Sequence, residues 1–205
     1  MNSRRRLRRF LQILNATLVV LIMFAANPRE PVSAHNYGSS NCGPNLELSN
    51  CVARDRLHYL WYDTLTPQMA VASDDTARYV FRERTQLEMS RTATYGTHVD
   101  VNVYDGNYGS GYWGVTFCPQ YSSQGGTNPY RWCRPFVVRF NNGYYPSKFD
   151  SVFERDVIAC HELGHTTGLR DRDYTNSLQT SCMIDNAFYS DYLSEDDEMH
   201  LNDRY

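Results

Sequence analysis

Apolar side chains recur along this chain with two different periods, and the switches between them mark out its elements. The run "LHYLWY", Leu57 to Tyr62, is bulky and aromatic and predicts a first strand. Thr66 followed by Pro67 makes a helix start, because the proline ring already holds the φ angle that a first helical turn needs. Met69, Ala70, Ala77, Val80 and Phe81 then recur on one face and predict a helix through about Leu87. In "THVDVNVYDG" the period changes to two. Val99, Val101 and Val103 alternate with polar neighbours, as in a half-buried strand, and an Asp-Gly turn is expected to close it. "GYWGVTFC" and "RPFVVRFNNG" predict two further strands, with Cys118 and Cys133 facing the Gly/Ser/Asn/Pro-rich loop between them. From Asp150 to about Thr167 the period lengthens again, and Val152, Phe153, Val157, Ile158 and Leu163 predict a second helix. Patterning then lapses until "LSEDDEMHLNDRY". There Ser194, with Asp197 three residues on, makes a capping-box start for a last helix, and the acids read as first-turn residues rather than a calcium site. A strand, a helix, several strands, a second helix, an irregular segment and a terminal helix give an α+β layout.

Residues 1–34 stand outside that layout. Arg4, Arg5, Arg6, Arg8 and Arg9 form a basic head, Leu11 to Ala26 is mostly apolar, and Val32-Ser33-Ala34 fits a small-residue cleavage site, so the segment reads as a signal peptide cut after Ala34. The apolar stretch of about 16 residues contains Asn15 and Thr17 and is short of the roughly 20 that span a hydrocarbon core. An uncleaved membrane anchor is the alternative, and the paired arginines leave the export route open.

Cleavage removes six of 20 basic residues and one of 23 acids, leaving 14 against 22, a net charge of about −8. With no basic patch interleaved with aromatics, nucleic acid is excluded as an expected partner. Residues 35–205 are enough for one domain with one core. All six cysteines follow the cleavage point, and in an oxidising compartment an even number reads as disulfides. Nearest-neighbour pairs, Cys42 with Cys51, Cys118 with Cys133 and Cys160 with Cys182, are the simplest of the possible connectivities.

The chemistry concentrates in "ACHELGHTTGLRDRD", Ala159 to Asp173. On a helix that advances about 100° per residue, His161 and His165 lie only about 40° apart and one turn displaced, so both rings can reach one ion. Glu162 sits to the side of that face, where it can take a proton from a metal-activated water instead of ligating. A catalytic site needs a third protein ligand and an open fourth position. Were the helix to continue, Asp171 would stand about 15 Å along the axis and about 100° off the histidine face. The helix must therefore break, and Gly168 is the residue that can turn the chain back and return Asp171 to the ion. Asp173 is the competing ligand. Cys160 points about 120° away from the histidine face and reads as a disulfide partner.

"HELGHTTGLRD" resembles the extended motif of metzincin zinc peptidases, HExxHxxGxx followed by His or Asp. With Asp171 in the last place it is similar to the snapalysin-like bacterial secreted proteases. The resemblance implies a zincin-like fold: a mixed twisted sheet with an upstream helix, an active-site helix and a C-terminal helix. It further implies Zn2+ on His161, His165 and Asp171, Glu162 as general base, and Met183 of "SCMID" in a turn under the metal, clamped by Cys182 to Cys160. "GYWGVTF" becomes the edge strand to which an extended substrate adds. Asp185 stands where some members of the clan carry a tyrosine, which leaves Tyr189 or Tyr192 to steady an oxyanion. "NCGPN" around Cys42 faintly resembles a cysteine switch, but the even cysteine count favours the disulfide.

The expectation is a secreted, monomeric zinc endopeptidase acting on protein or peptide substrates, without stable membrane association once the signal is cut. Two rivals stand beside it: a secreted binding or inhibitory module with a structural zinc, and a metallohydrolase that acts on cell-wall peptides. Glu162 argues against the first, since a structural site has no need of it.

Overall fold

Strand β1 (Leu57–Tyr62) lies inside a five-stranded sheet of order β2-β1-β3-β5-β4, completed by β2 (Glu88–Thr92), β3 (Val101–Gly106), β4 (Gly114–Phe117) and β5 (Phe136–Asn141). The computed structural model describes residues 55–109, 111–119, 133–143, 151–171, 180–184 and 190–205, all within the unit Ala34–Tyr205. The leader, the Cys42–Cys51 pair, Asp173, Asp185 and Tyr189 lie outside the described residues. β1 runs parallel to β2 and β3, and β3 parallel to β5, while β4 is antiparallel to β5 at the edge. The α+β expectation of a mixed sheet is met in that form, mostly parallel with one antiparallel edge.

Helix α1 (Pro67–Asp75) starts where Thr66 and Pro67 predict it. The Thr66 hydroxyl accepts from the Met69 N–H, and the Thr66 N–H donates to the Asp105 carboxylate at 2.7 Å. The chain continues as a π-helical stretch over Thr76–Arg82, where the Glu83 N–H reaches back five residues to the Arg78 carbonyl. It stops short of Leu87, which is fully buried just before β2. β2 itself is absent from the hydrophobic pattern, because in "EMSRT" only Met89 is buried and the strand exists through its pairing with β1. The Asp-Gly turn is also corrected: Asp105 and Gly106 remain in β3, in register with Phe140 and Asn141, and the Asp105 side chain serves the start of α1 instead.

Helix α2 (Val152–Thr166) is capped by Ser151, whose hydroxyl accepts the Glu154 N–H at 3.1 Å. Val152 and Phe153, read from the sequence as part of its apolar face, lie in its first turn and are exposed; the buried face begins at Val157. Leu60, Val101 and Phe136 line up across the sheet toward the core, as do Val103, Val138 and Thr116. Phe81, Phe136 and Phe140 are fully buried there, each worth about 1.5–3 kcal/mol of transfer free energy. Helix α3 (Glu195–Arg204) carries the full capping box of Ser194 and Asp197. Among the described residues no helix is long and apolar enough to cross a membrane.

Candidate metal centre

The centre is built at the C-terminal end of α2. The helix ends at Thr166, the Thr167 N–H turns back to the Gly164 carbonyl, and Gly168 follows at φ +98°, a conformation that side-chain-bearing residues rarely adopt. The chain reverses there as its glycine predicts. Three residues later it delivers Asp171 Oδ1 to 3.1 Å from His161 Nε2 and 3.3 Å from His165 Nε2. The two Nε2 atoms are themselves 3.1 Å apart.

Each imidazole is held by its other nitrogen. His161 Nδ1 lies 2.8 Å from the Cys182 carbonyl and His165 Nδ1 lies 2.9 Å from the Leu169 carbonyl. A carbonyl oxygen only accepts, so both Nδ1 atoms carry the proton and both Nε2 atoms present lone pairs. Three electron-rich atoms thus converge on one point, a stable arrangement only if a cation or a proton joins them. In a tetrahedral site with bonds of about 2.0–2.1 Å, ligand atoms are separated by about 3.3–3.4 Å. The observed 3.1–3.3 Å triangle matches that spacing and accounts for three of the four corners. Asp171 Oδ1 is sealed from solvent and has no well-directed hydrogen bond, as a ligand atom awaiting an ion would be. The three residues fit a divalent cation, and they are the one such group among the described residues.

Without a cation the cluster holds a proton. Burial opposes charge on the His161 ring, but the adjacent Asp171 carboxylate, the Glu162 charge and the Cys182 carbonyl together outweigh it and lift its pKa to about 9. Burial also opposes charge on Asp171, yet the two histidine rings that face its Oδ1, and the charge they take up, hold its carboxyl well below the usual range.

Glu162 is buried beside this triangle, and its Oε2 lies 2.7 Å from the Thr116 hydroxyl on β4. Cys160 leaves the helix on another side and is bonded to Cys182, with 5.9 Å between Cα atoms, so the disulfide ties the turn whose carbonyl orients His161 to the helix that carries it. The Cys118–Cys133 bond forms as well. Met183, fully buried, packs its sulfur into the space left by the missing side chain of Gly164. Tyr192 is not at the centre: the Arg84 guanidinium lies over its ring, and it lines a cavity with Asp156 and Asp191. No sequence pattern marks the Cys182 and Leu169 carbonyls, which any residue type supplies, or Thr116. The one available signal was Gly114 inside the predicted strand run "GYWGVTFC", a glycine placement that often marks a close approach.

No family model matches the chain, and no curated protein matches it. Two solved structures of myroilysin are similar in part. One, at 13% identity and a TM-score of 0.39, matches over 60% of this chain and 53% of that one, so the chain spans about half its length. The other, at 14% identity and a TM-score of 0.40, matches over 84% of this chain and 70% of that one. The likeness is coarse, and the chemistry of the centre rests on the residues of this chain.

Proposed function

We propose that the chain is a secreted zinc endopeptidase. The observation that carries the reading is the triangle of His161 Nε2, His165 Nε2 and Asp171 Oδ1 with the Glu162 carboxylate fixed beside it. Two imidazoles and one carboxylate are a donor set that suits zinc and keeps one position for exchange. His161, His165 and Asp171 would hold the zinc, which would supply Lewis acidity to a scissile carbonyl and to an attacking water near neutral pH. Glu162 takes the proton of the attacking water and hands it to the leaving amine. His161 and Asp171 are partly exposed, which gives water and substrate a way in. β4, at the end of the sheet, leaves its outer side unpaired among the described residues, and an extended peptide can add there through main-chain hydrogen bonds. The two observed disulfides are in keeping with an oxidising compartment.

The test is cleavage of casein and of a quenched peptide library by the zinc-loaded mature chain, with and without chelator. Chelation is expected to abolish cleavage and zinc to restore it. Glu162→Gln should keep its zinc and lose about 10²–10⁴-fold in turnover. An inactive parent that unfolds on chelation would favour a structural zinc, and a Glu162→Gln variant as active as the parent would remove the glutamate from the mechanism.

A further inference from the structure

Glu162 is gripped by a strand that the zinc-ligand motif does not include. On β4, Gly114 and Thr116 are in register with Phe140 and Val138 of β5, both core residues, so these two positions face α2. Thr116 is fully enclosed, with Oγ1 2.7 Å from Glu162 Oε2 and 2.8 Å from the Glu162 main-chain carbonyl. A hydroxyl has one proton and faces one acceptor at a time; an ionised carboxylate draws it more strongly than a carbonyl already engaged in a helix. Gly114 works by absence. A Cβ built there would fall 2.5 Å from Glu162 Oε1, 2.6 Å from Cγ and 2.7 Å from Cδ, separations that real Cβ atoms essentially never show. Its backbone is ordinary strand, unlike that of Gly168, so the missing side chain and not conformational freedom is what the position requires.

We infer that Gly114 and Thr116 are positioning residues that lock the Glu162 carboxylate in a slot on β4, the glycine giving one oxygen room and the threonine holding the other. A free glutamate samples many rotamers, whereas a general base must stay within hydrogen-bond reach of the proton it takes. The strand offered to substrate is then also the strand that aims the base. The catalytic consequence rests on the peptidase reading; the slot does not.

Crystal structures and kinetics of zinc-loaded Thr116→Val, Thr116→Ser and Gly114→Ala, compared with the parent, test both parts. Valine keeps the shape of threonine and removes the donor, serine restores the donor, and alanine fills the slot. In the Val and Ala variants the Glu162 carboxylate is expected to leave β4 while His161, His165 and Asp171 keep their zinc. Thr116→Val should lower kcat by about tenfold to a hundredfold with KM and zinc affinity near the parent, and Thr116→Ser should recover most of it. In a Glu162→Gln background the valine should add nothing. The inference is overturned if the carboxylate keeps its place in the Val crystals, or if the loss of activity follows loss of zinc and serine does not reverse it. If Gly114→Ala does not fold, the two Thr116 variants decide alone. A parent that cleaves no peptide sinks the peptidase reading, and the carboxylate positions still decide the slot.

Discussion

His161 and His165 each commit one ring nitrogen to a main-chain carbonyl, and this fixes what the other nitrogen can do. Facing one another and Asp171, the free lone pairs bind either a proton or a metal ion, and the two compete. The sign follows from the His161 pKa of about 9, above its ordinary 6.5. In the metal-free fold that proton stabilises the chain below pH 6.5, and its contribution is lost as pH rises through about 9. Zinc must displace it. Zinc affinity is therefore expected to rise with pH, by up to about tenfold per unit, and to level off above about pH 9. Competition titrations against a chelator indicator between pH 6 and 9.5 would read this directly, and a flat profile would mean that no proton is exchanged. These residues were legible in the sequence because helical periodicity alone brings two histidines four apart onto one face. The atoms that orient them were not, since a main-chain carbonyl leaves no mark on residue type.

At the scale of elements, the centre depends on where α2 stops. Gly168 was readable as the break because a continuing helix would carry Asp171 out of reach, and its φ of +98° is the conformation that such a reversal needs. Gly168→Ala should cost about 1–2 kcal/mol of stability through strain at that angle. Because the strain falls between the helix and Asp171, zinc affinity should drop as well, by at least about tenfold. Chemical denaturation with the chelator titration checks both, and unchanged affinity would show that Asp171 reaches the ion without the turn. Other elements were hidden for identifiable reasons. β2 presents a single buried side chain and is a strand because β1 pairs with it. The π-helical stretch after α1 keeps Val80 and Phe81 buried without a separate sequence signature. Asp105-Gly106 looked like a turn by composition, but pairing with β5 and the Asp105 bond to Thr66 kept it in β3.

For the molecule as a whole, alternation and periodicity gave the α+β class, whereas the parallel order β2-β1-β3-β5 came from tertiary pairing that no local pattern encodes. That arrangement buries His58, a polar residue of the central sheet, edge-on to the Tyr205 ring. Burial pushes its pKa down to about 4, against a smaller upward pull from Asp55. The unfolded chain then takes up a proton between pH 6.5 and 4 that the folded chain refuses, so stability is full above 6.5 and falls by about 3 kcal/mol on the way to pH 4. Acid should also drive any bound metal from the centre, and His58→Leu separates the two effects. Melting of the metal-free variant should lose much less between pH 6.5 and 4.5 than that of the metal-free parent, and parallel profiles would clear His58 of the acid sensitivity.

The decisive experiment is X-ray absorption at the zinc edge on the mature chain carrying one equivalent of the metal. Expected is a shell of four light atoms at about 2.0–2.1 Å, two of them identified as imidazoles by multiple scattering, one a carboxylate oxygen, and one exchangeable with added ligand. A sulfur in the shell, four ligands all from the protein, or failure to retain zinc would contradict it.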